Sequence, residues 1–264
     1  MEQQQRLEYL LQTLLPEAGE DGLWLEKRYG RTFALLRGLM NIRQPQQDQA
    51  QFLEVQDAYL QEMTRQKGIV QAAQLQAAPL HPSLYVWQGD ITTLQADAIV
   101  NAANHKMLGC WSPNHGCIDN MIHTMAGVQL RRDCALLMEQ QGHDEETGQA
   151  KITPAYNLPS HYVLHTVGPV IDTQVTEQDR ALLASCYRSC LELAAEYKLR
   201  SVAFCCISTG VFRFPNEDAA QIAVDTVLQF LQKDSTIEQV IFNVFQDKDL
   251  QIYQRLLGAM PGCI

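Results

Sequence analysis

Apolar residues recur at helical spacing three times within positions 1–75. Leu7, Leu10, Leu11, Leu14 and Leu15 follow an i, i+3, i+4, i+7, i+8 stripe. Tyr29, Phe33, Leu36 and Met40 repeat the spacing, and Phe52, Val55, Tyr59 and Met63 repeat it again. Stripes this regular predict three amphipathic helices rather than a disordered Gln-rich tract, despite Gln44-Pro45-Gln46-Gln47 between the last two. Amphipathic helices need an apolar partner, and the region that follows is the nearest surface. Two prolines in Ala77-Ala78-Pro79-Leu80-His81-Pro82 interrupt any helix. The chain therefore divides into a helical extension over 1–75, a connector over 76–83 and a main domain over 84–264.

From Leu84 the pattern changes to strands alternating with helices. Leu84-Tyr85-Val86-Trp87, Ala98-Ile99-Val100, Lys151 to Tyr156, Tyr162 to Val167, Val202 to Ile207 and Val240 to Val244 read as strands. Ile118 to about Gln140, 179–197, 216–233 and a segment from about 247 read as helices. The near-continuous apolar run at Val202–Ile207 suits a strand covered on both faces. This order predicts an α/β layered domain whose ligands bind beyond the carboxyl ends of its strands. Two polar clusters fall there, Asn101-Ala102-Ala103-Asn104 and Ser208-Thr209-Gly210.

The formal net charge of −10 disfavours backbone binding of nucleic acid, which relies on Lys and Arg neutralising phosphates. It does not exclude a nucleotide-sized ligand, because backbone N–H groups alone hold phosphates. Met1 to Arg6 lead into an amphipathic run rather than an apolar block, and no stretch is long and apolar enough to span a bilayer. A cytoplasmic protein with reduced thiols is expected, so metal binding outranks disulfides for the eight cysteines. Cys134, Cys186, Cys190, Cys205 and Cys206 lie in apolar patterns and are expected in the core.

The densest chemistry lies between Gly109 and Asn120, just ahead of a helical pattern. Cys110, His115 and Cys117 form C-x4-H-x-C, thiolate and imidazole donors that suit zinc. Three protein ligands would leave a fourth position open, as in catalytic sites. Spacing alone leaves two loop cysteines and an exposed imidazole as the other reading. Asp119 falls in the first turn of the helix, where the dipole favours a carboxylate, and His123 follows on the same face. Trp111 either walls a pocket or anchors the loop. Asn101 is expected to make a structural bond to loop backbone, and His105 to be exposed. Asp90, after the first strand, is a turn residue or a hydrogen-bond acceptor for an amine. Ser208-Thr209-Gly210-Val211-Phe212 is a strand-to-helix loop able to aim N–H groups at phosphates.

Gly89-Asp90-Ile91-Thr92 and Ala96-Asp97-Ala98-Ile99-Val100-Asn101-Ala102-Ala103-Asn104 resemble the opening of a macrodomain. Gly148-Gln149-Ala150, Leu158-Pro159 and His165-Thr166-Val167-Gly168-Pro169 resemble its middle, and Ile207 to Pro215 its late phosphate loop. The resemblance spans about 84–258 and leaves the first 75 residues outside. It implies a three-layer α/β/α domain with a mixed, mostly parallel sheet. Cys110 to Cys117 stands where many hydrolytic macrodomains carry a glycine run, and this is similar to a zinc-containing branch of bacterial pathogens linked to sirtuin-like ADP-ribosyl transferases.

The resemblance implies a hydrolase that removes mono-ADP-ribose from proteins modified on acidic side chains. It implies one Zn2+ held by Cys110, His115 and Cys117. Adenine would lie by Asp90 and Ile91, and the diphosphate between Cys117, Ile118, Asp119 and Asn120 and the loop Ser208, Thr209, Gly210, Val211 and Phe212. The distal ribose would reach Asn104 and Asp119, the catalytic candidates, with Phe212 packing on it and Asn120 supporting the site. The alternatives are a reader that binds ADP-ribosylated proteins without cleaving them and an O-acetyl-ADP-ribose deacetylase. A protein target carrying the modification, a link to a sirtuin-like transferase, and no nucleic-acid or membrane partner complete the expectation.

Overall fold

The computed structural model describes residues 1–233 and 236–258, so Cys263 and the end of the expected main domain lie outside the described residues. The leader forms α1 (Gln3–Tyr29), α2 (Phe33–Ile42) and α3 (Ala50–Lys67). Its leucine stripes meet one another: Leu10, Leu11, Leu35, Leu36 and Leu60 are fully buried in a core of their own. Each such side chain contributes on the order of 2 kcal/mol by leaving water. The second stripe is divided in the structure. Tyr29 ends α1, Gly30 turns the chain, and Phe33 begins α2. α1 itself breaks at Gly19, whose backbone is not helical.

The leader then enters the second region without a gap. β1 (Val70–Gln71) pairs in parallel with β3 (Leu94–Gln95), with Val70 opposite Leu94. The main sheet comprises β2 (Leu84–Gln88), β4 (Ala98–Ala102), β5 (Ala150–Pro154), β6 (Tyr162–Thr166), β7 (Ser201–Phe204) and β8 (Gln239–Val244). Its order is β2-β8-β7-β4-β6-β5, parallel throughout except that β5 runs antiparallel to β6. β7 ends at Phe204, so the apolar residues Cys205 to Ile207 begin the loop that follows.

α6 (Glu177–Glu196), α7 (Asn216–Leu231) and α8 (Asp247–Leu256) lie side by side, α6 over β5 and β6 and α8 over β2 and β8. α4 (Ile118–Ala126) packs on β4 and α5 (Val128–Gln141) on β5, and the leader's α2 and α3 pack in turn on α4. The continuous helix expected from 118 to 140 is two helices, because Gly127 adopts φ +99°. A Cβ there would come within 2.6 Å of Gln129 and 2.7 Å of Gln56, so the leader closes against this break. The fold is α/β with a mixed, mostly parallel sheet and a helical N-terminal region. Among the described residues, no helix is long and apolar enough to cross a membrane.

Candidate metal centre and ligand crevice

Strand order reverses beside β4: the chain leaves it toward β6 on one side and returns as β7 on the other. A crevice at the carboxyl ends follows from that reversal. Asp90 follows β2, Phe245 follows β8, Ser208–Phe212 follows β7 and Asn104 follows β4. β2 and β4 are three strand steps apart in the sheet, which at ~4.8 Å per step is about 14 Å. That length suits a nucleoside diphosphate joined to a second sugar.

Asp90 caps the short 3-10 turn Ile91–Thr93. Its Oδ1 accepts from the Thr92 backbone N–H at 3.0 Å and the Thr92 hydroxyl at 2.6 Å. Its Oδ2 accepts from Lys67 Nζ at 2.9 Å, a residue in the last turn of leader helix α3. Burial raises the Asp90 pKa, but the bonds from Thr92 and Lys67 outweigh it and hold the carboxyl below its ordinary value. Ile91 is buried beneath it. Phe245, one residue past β8, is 78 % exposed and offers a flat apolar face at this end of the crevice. Sequence reasoning missed it, although an aromatic just past an apolar strand and ahead of Gln246-Asp247 was a usable signal.

The loop after β7 turns sharply, with Ser208 at φ +63°. Ser208 O accepts from Phe214 N–H at 2.9 Å and Gly210 O from Arg213 N–H at 3.0 Å, which closes the loop on itself. The backbone N–H groups of Gly210, Val211 and Phe212 have no partner among the described residues. Such a row of free donors fits phosphate oxygens without cationic side chains. Ser208 is buried and Thr209 Oγ1 donates to Cys206 O, while Val211 is 65 % exposed and Phe212 half-buried.

Asp119 is 4 % exposed and sits in the first turn of α4. Asn101 Nδ2 donates to its Oδ1 at 2.8 Å and Asn104 Nδ2 to its Oδ2 at 3.3 Å. Asn101 thus bonds the carboxylate, not the loop backbone as the sequence implied, because its position on β4 directs it under α4. Burial pushes the Asp119 pKa up to about 6, partly offset by Asn101, the Arg131 charge and Asn104. Asn104 Nδ2 also donates to Gly109 O at 3.1 Å, and its Oδ1 accepts from Lys106 N–H at 3.0 Å. Asn104 therefore ties the carboxylate to the loop.

His123 follows one turn later, its Nε2 3.5 Å from Asp119 Oδ1, with neither ring nitrogen in a hydrogen bond. Gly109, at φ +76°, lies flat on that ring; a Cβ would come within 2.8 Å of it. His165 is buried and held neutral, its pKa lowered to about 3 by burial. Its Nδ1 faces Asn101 Nδ2 at 3.2 Å and its Nε2 faces Thr153 Oγ1 at 3.0 Å. His123, Cys134 and His165 lie close enough to share a metal. Both nitrogens of His165 are already spent on Asn101 and Thr153, so this group is a core network that orients Asn101.

Cys110, His115 and Cys117 converge, their donor atoms all within 4.8 Å of one another. Cys110 Sγ lies 3.6 Å from His115 Nδ1. Two ligands of a tetrahedral zinc, one sulfur and one nitrogen, are about 3.5 Å apart. The residues therefore fit the ion in donor type and spacing. Burial, with Cys110 and Asp119 nearby, pushes the Cys117 thiol up to about 12, so its thiolate needs a cation beside it. Cys117 also caps α4, its Sγ accepting from Asn120 N–H at 3.4 Å. Asn120 itself is fully buried, and its amide is spent inside the protein, Nδ2 donating to Ser112 O at 3.0 Å. Trp111 stacks on the Arg131 guanidinium, 4.2 Å from its ring centre, which makes it a loop anchor. His105 is exposed, as expected.

A family model for the Macro domain matches residues 100–223. A protein-ADP-ribose hydrolase of Treponema medium is 53% identical over 261 residues, covering 98% of this chain and 100% of that one. A protein-ADP-ribose hydrolase of Staphylococcus aureus is 50% identical, covering 94% of each. Among solved structures, an Oceanobacillus iheyensis macrodomain with MES bound superimposes with TM-score 0.62 at 39% identity, over 68% of this chain and 93% of that one. A Trypanosoma brucei macrodomain in complex with ADP-ribose gives TM-score 0.65 at 31% identity, over 84% of this chain and 95% of that one. This chain belongs to the macrodomain family. Its similarity to the two hydrolases runs through the leader as well as the sheet domain.

Proposed function

We propose that this protein is a zinc-dependent hydrolase that releases mono-ADP-ribose from proteins modified on acidic side chains. The observation that carries the reading is the adjacency of a Cys2His donor set and a doubly anchored buried carboxylate at one end of a nucleotide-length crevice. The names of the two relatives, matched over nearly the whole chain, support the hydrolase part of this reading. Adenine lies at the β2–β8 end, its amine toward Asp90 and Ile91 and its face toward Phe245. The diphosphate takes the free N–H groups of Gly210 to Phe212 and the start of α4 at Cys117, Ile118 and Asp119, whereas Asn120, expected beside them, is buried with its N–H on Cys117 Sγ. The distal ribose reaches Asn104 and Asp119.

Cys110, His115 and Cys117 would hold the ion. Bound zinc supplies Lewis acidity and a fixed positive charge beside the reacting sugar. Asn101 and Asn104 orient the Asp119 carboxylate. Asp119 in turn accepts a ribose hydroxyl or takes a proton at a carboxylate oxygen. A reader would need neither the carboxylate nor the donor set. The supply of substrate by a sirtuin-like transferase belongs to the same proposal.

The test joins metal analysis to an ADP-ribose release assay on wild type, Cys110→Ala and His115→Ala. One zinc per wild-type chain is expected, with loss of both metal and turnover in each variant. Full activity in metal-free wild type sinks the zinc mechanism. ADP-ribose binding without turnover marks a reader. Preference for O-acetyl-ADP-ribose over glutamate-linked protein substrate marks the deacetylase.

A further inference from the structure

The metal loop has no regular secondary structure between Gly109 and Cys117, and Asn114 within it adopts φ +56°. Several of its fixed points lie in the leader. Arg37, on α2, donates from Nε and Nη2 to Asn120 Oδ1 at 2.9 and 2.7 Å. The same Nη2 donates to the His115 carbonyl at 2.7 Å. Asn41 Oδ1 accepts from Asn114 N–H, and the Ala34 carbonyl from Asn114 Nδ2, each at 2.9 Å. Gly38 lies beneath Asn114, where a Cβ would come within 3.2 Å of its amide. One guanidinium thus grips the backbone of a ligand and the residue whose other amide atom holds Ser112.

We propose that Arg37 is a positioning residue of the metal loop, through which leader helix α2 sets the spacing of Cys110, His115 and Cys117. This rests on the zinc reading above. A planar fork with two donors on one acceptor and a third bond to a carbonyl fixes direction as well as distance, which an ammonium does not. Residues that orient metal ligands from outside the coordination shell typically change metal affinity 10–100-fold when removed.

Arg37→Met keeps the apolar stem, and Arg37→Lys keeps the charge. Zinc affinity is measured for both and for wild type by competition with a chromophoric chelator. Thermal unfolding with and without zinc is measured alongside, with Arg28→Ala as a leader control. Arg37→Met is expected to bind zinc about 10–100-fold more weakly, with little recovery in Arg37→Lys. At saturating zinc, affinity for free ADP-ribose stays near wild type while kcat for the modified protein falls. Wild-type zinc affinity in Arg37→Met, beside a wild type that does bind zinc, overturns this inference alone. Wild type that takes up no zinc overturns the zinc reading with it. Recovery of full affinity by Arg37→Lys shows that charge, not positioning, is what α2 supplies, and also overturns it.

Discussion

Asp119→Ala is expected to lower ADP-ribose release from a modified protein by about 10²- to 10⁴-fold, the span of a positioned acid or base. The carboxylate is the one buried acid that Asn101 and Asn104 both address, and α4 begins beside it. Two amide donors from one strand and its loop leave its oxygens little freedom. A carboxylate held this way is preorganised for a sugar hydroxyl or a proton. Alanine removes that group but none of the Cys110, His115 and Cys117 donors, so zinc content should not change. Asp119→Asn is the harsher probe of packing, because its own NH2 would face the NH2 donors of Asn101 or Asn104. ADP-ribose affinity separates the two ways of losing activity. Retained affinity with lost kcat places Asp119 in the chemistry, whereas wild-type turnover in Asp119→Ala removes it from the mechanism.

The second large effect is expected on removing residues 1–75, which should abolish a cooperative thermal transition and leave aggregating protein. Arg131, on α5, is buried. Its Nη1 donates to the carbonyls of Met40, Asn41 and Arg43 at 3.1, 2.8 and 2.9 Å, all in the leader. Truncation strips this cation of those acceptors and bares the apolar faces that the leader covers, at roughly 25 cal/mol for each Å² exposed to water. Gln56 also donates to Gln129 and accepts from Val128 N–H, Gln61 donates to Asn157, and Asp57 accepts from Asn157 and Gln129. Against a total stability of about 5–15 kcal/mol these losses are enough to unfold a domain. A soluble 76–264 fragment that melts cooperatively and binds ADP-ribose would show that the leader recognises the target rather than completing the fold.

Much of the fold was legible because apolar period reports burial directly. The leucine stripe of α1, the Phe52, Val55, Tyr59 and Met63 stripe of α3 and the strand at 240–244 emerge almost as the sequence places them. Period does not report direction: the resemblance implied a mixed sheet, but nothing in the apolar pattern marked β5 as the strand that runs antiparallel to β6. A glycine inside a helical pattern is ordinary, so the break at Gly127 was missed until its close contacts with Gln56 and Gln129 were seen. The candidate donors Cys110, His115 and Cys117 were legible because they sit within eight consecutive positions. Arg37 was not, because its bonds reach 78 and 83 residues along the chain. Lys67 meets Asp90 from 23 residues away for the same reason. A surface-type residue on an amphipathic helix carries no mark of the partner it will find.

The bonds from Arg37 and Asn41 to the metal loop have a reciprocal side. If α2 raises the loop's affinity for zinc by some factor, zinc must raise the attachment of α2 by the same factor. Amide exchange along Leu35–Asn41 should therefore quicken when zinc is withdrawn and slow when it is restored. Metal supply would then be written into the order of a helix far along the chain from the cysteines. A cell short of zinc would carry a protein whose leader has loosened, a difference visible to proteases and binding partners before any substrate is met.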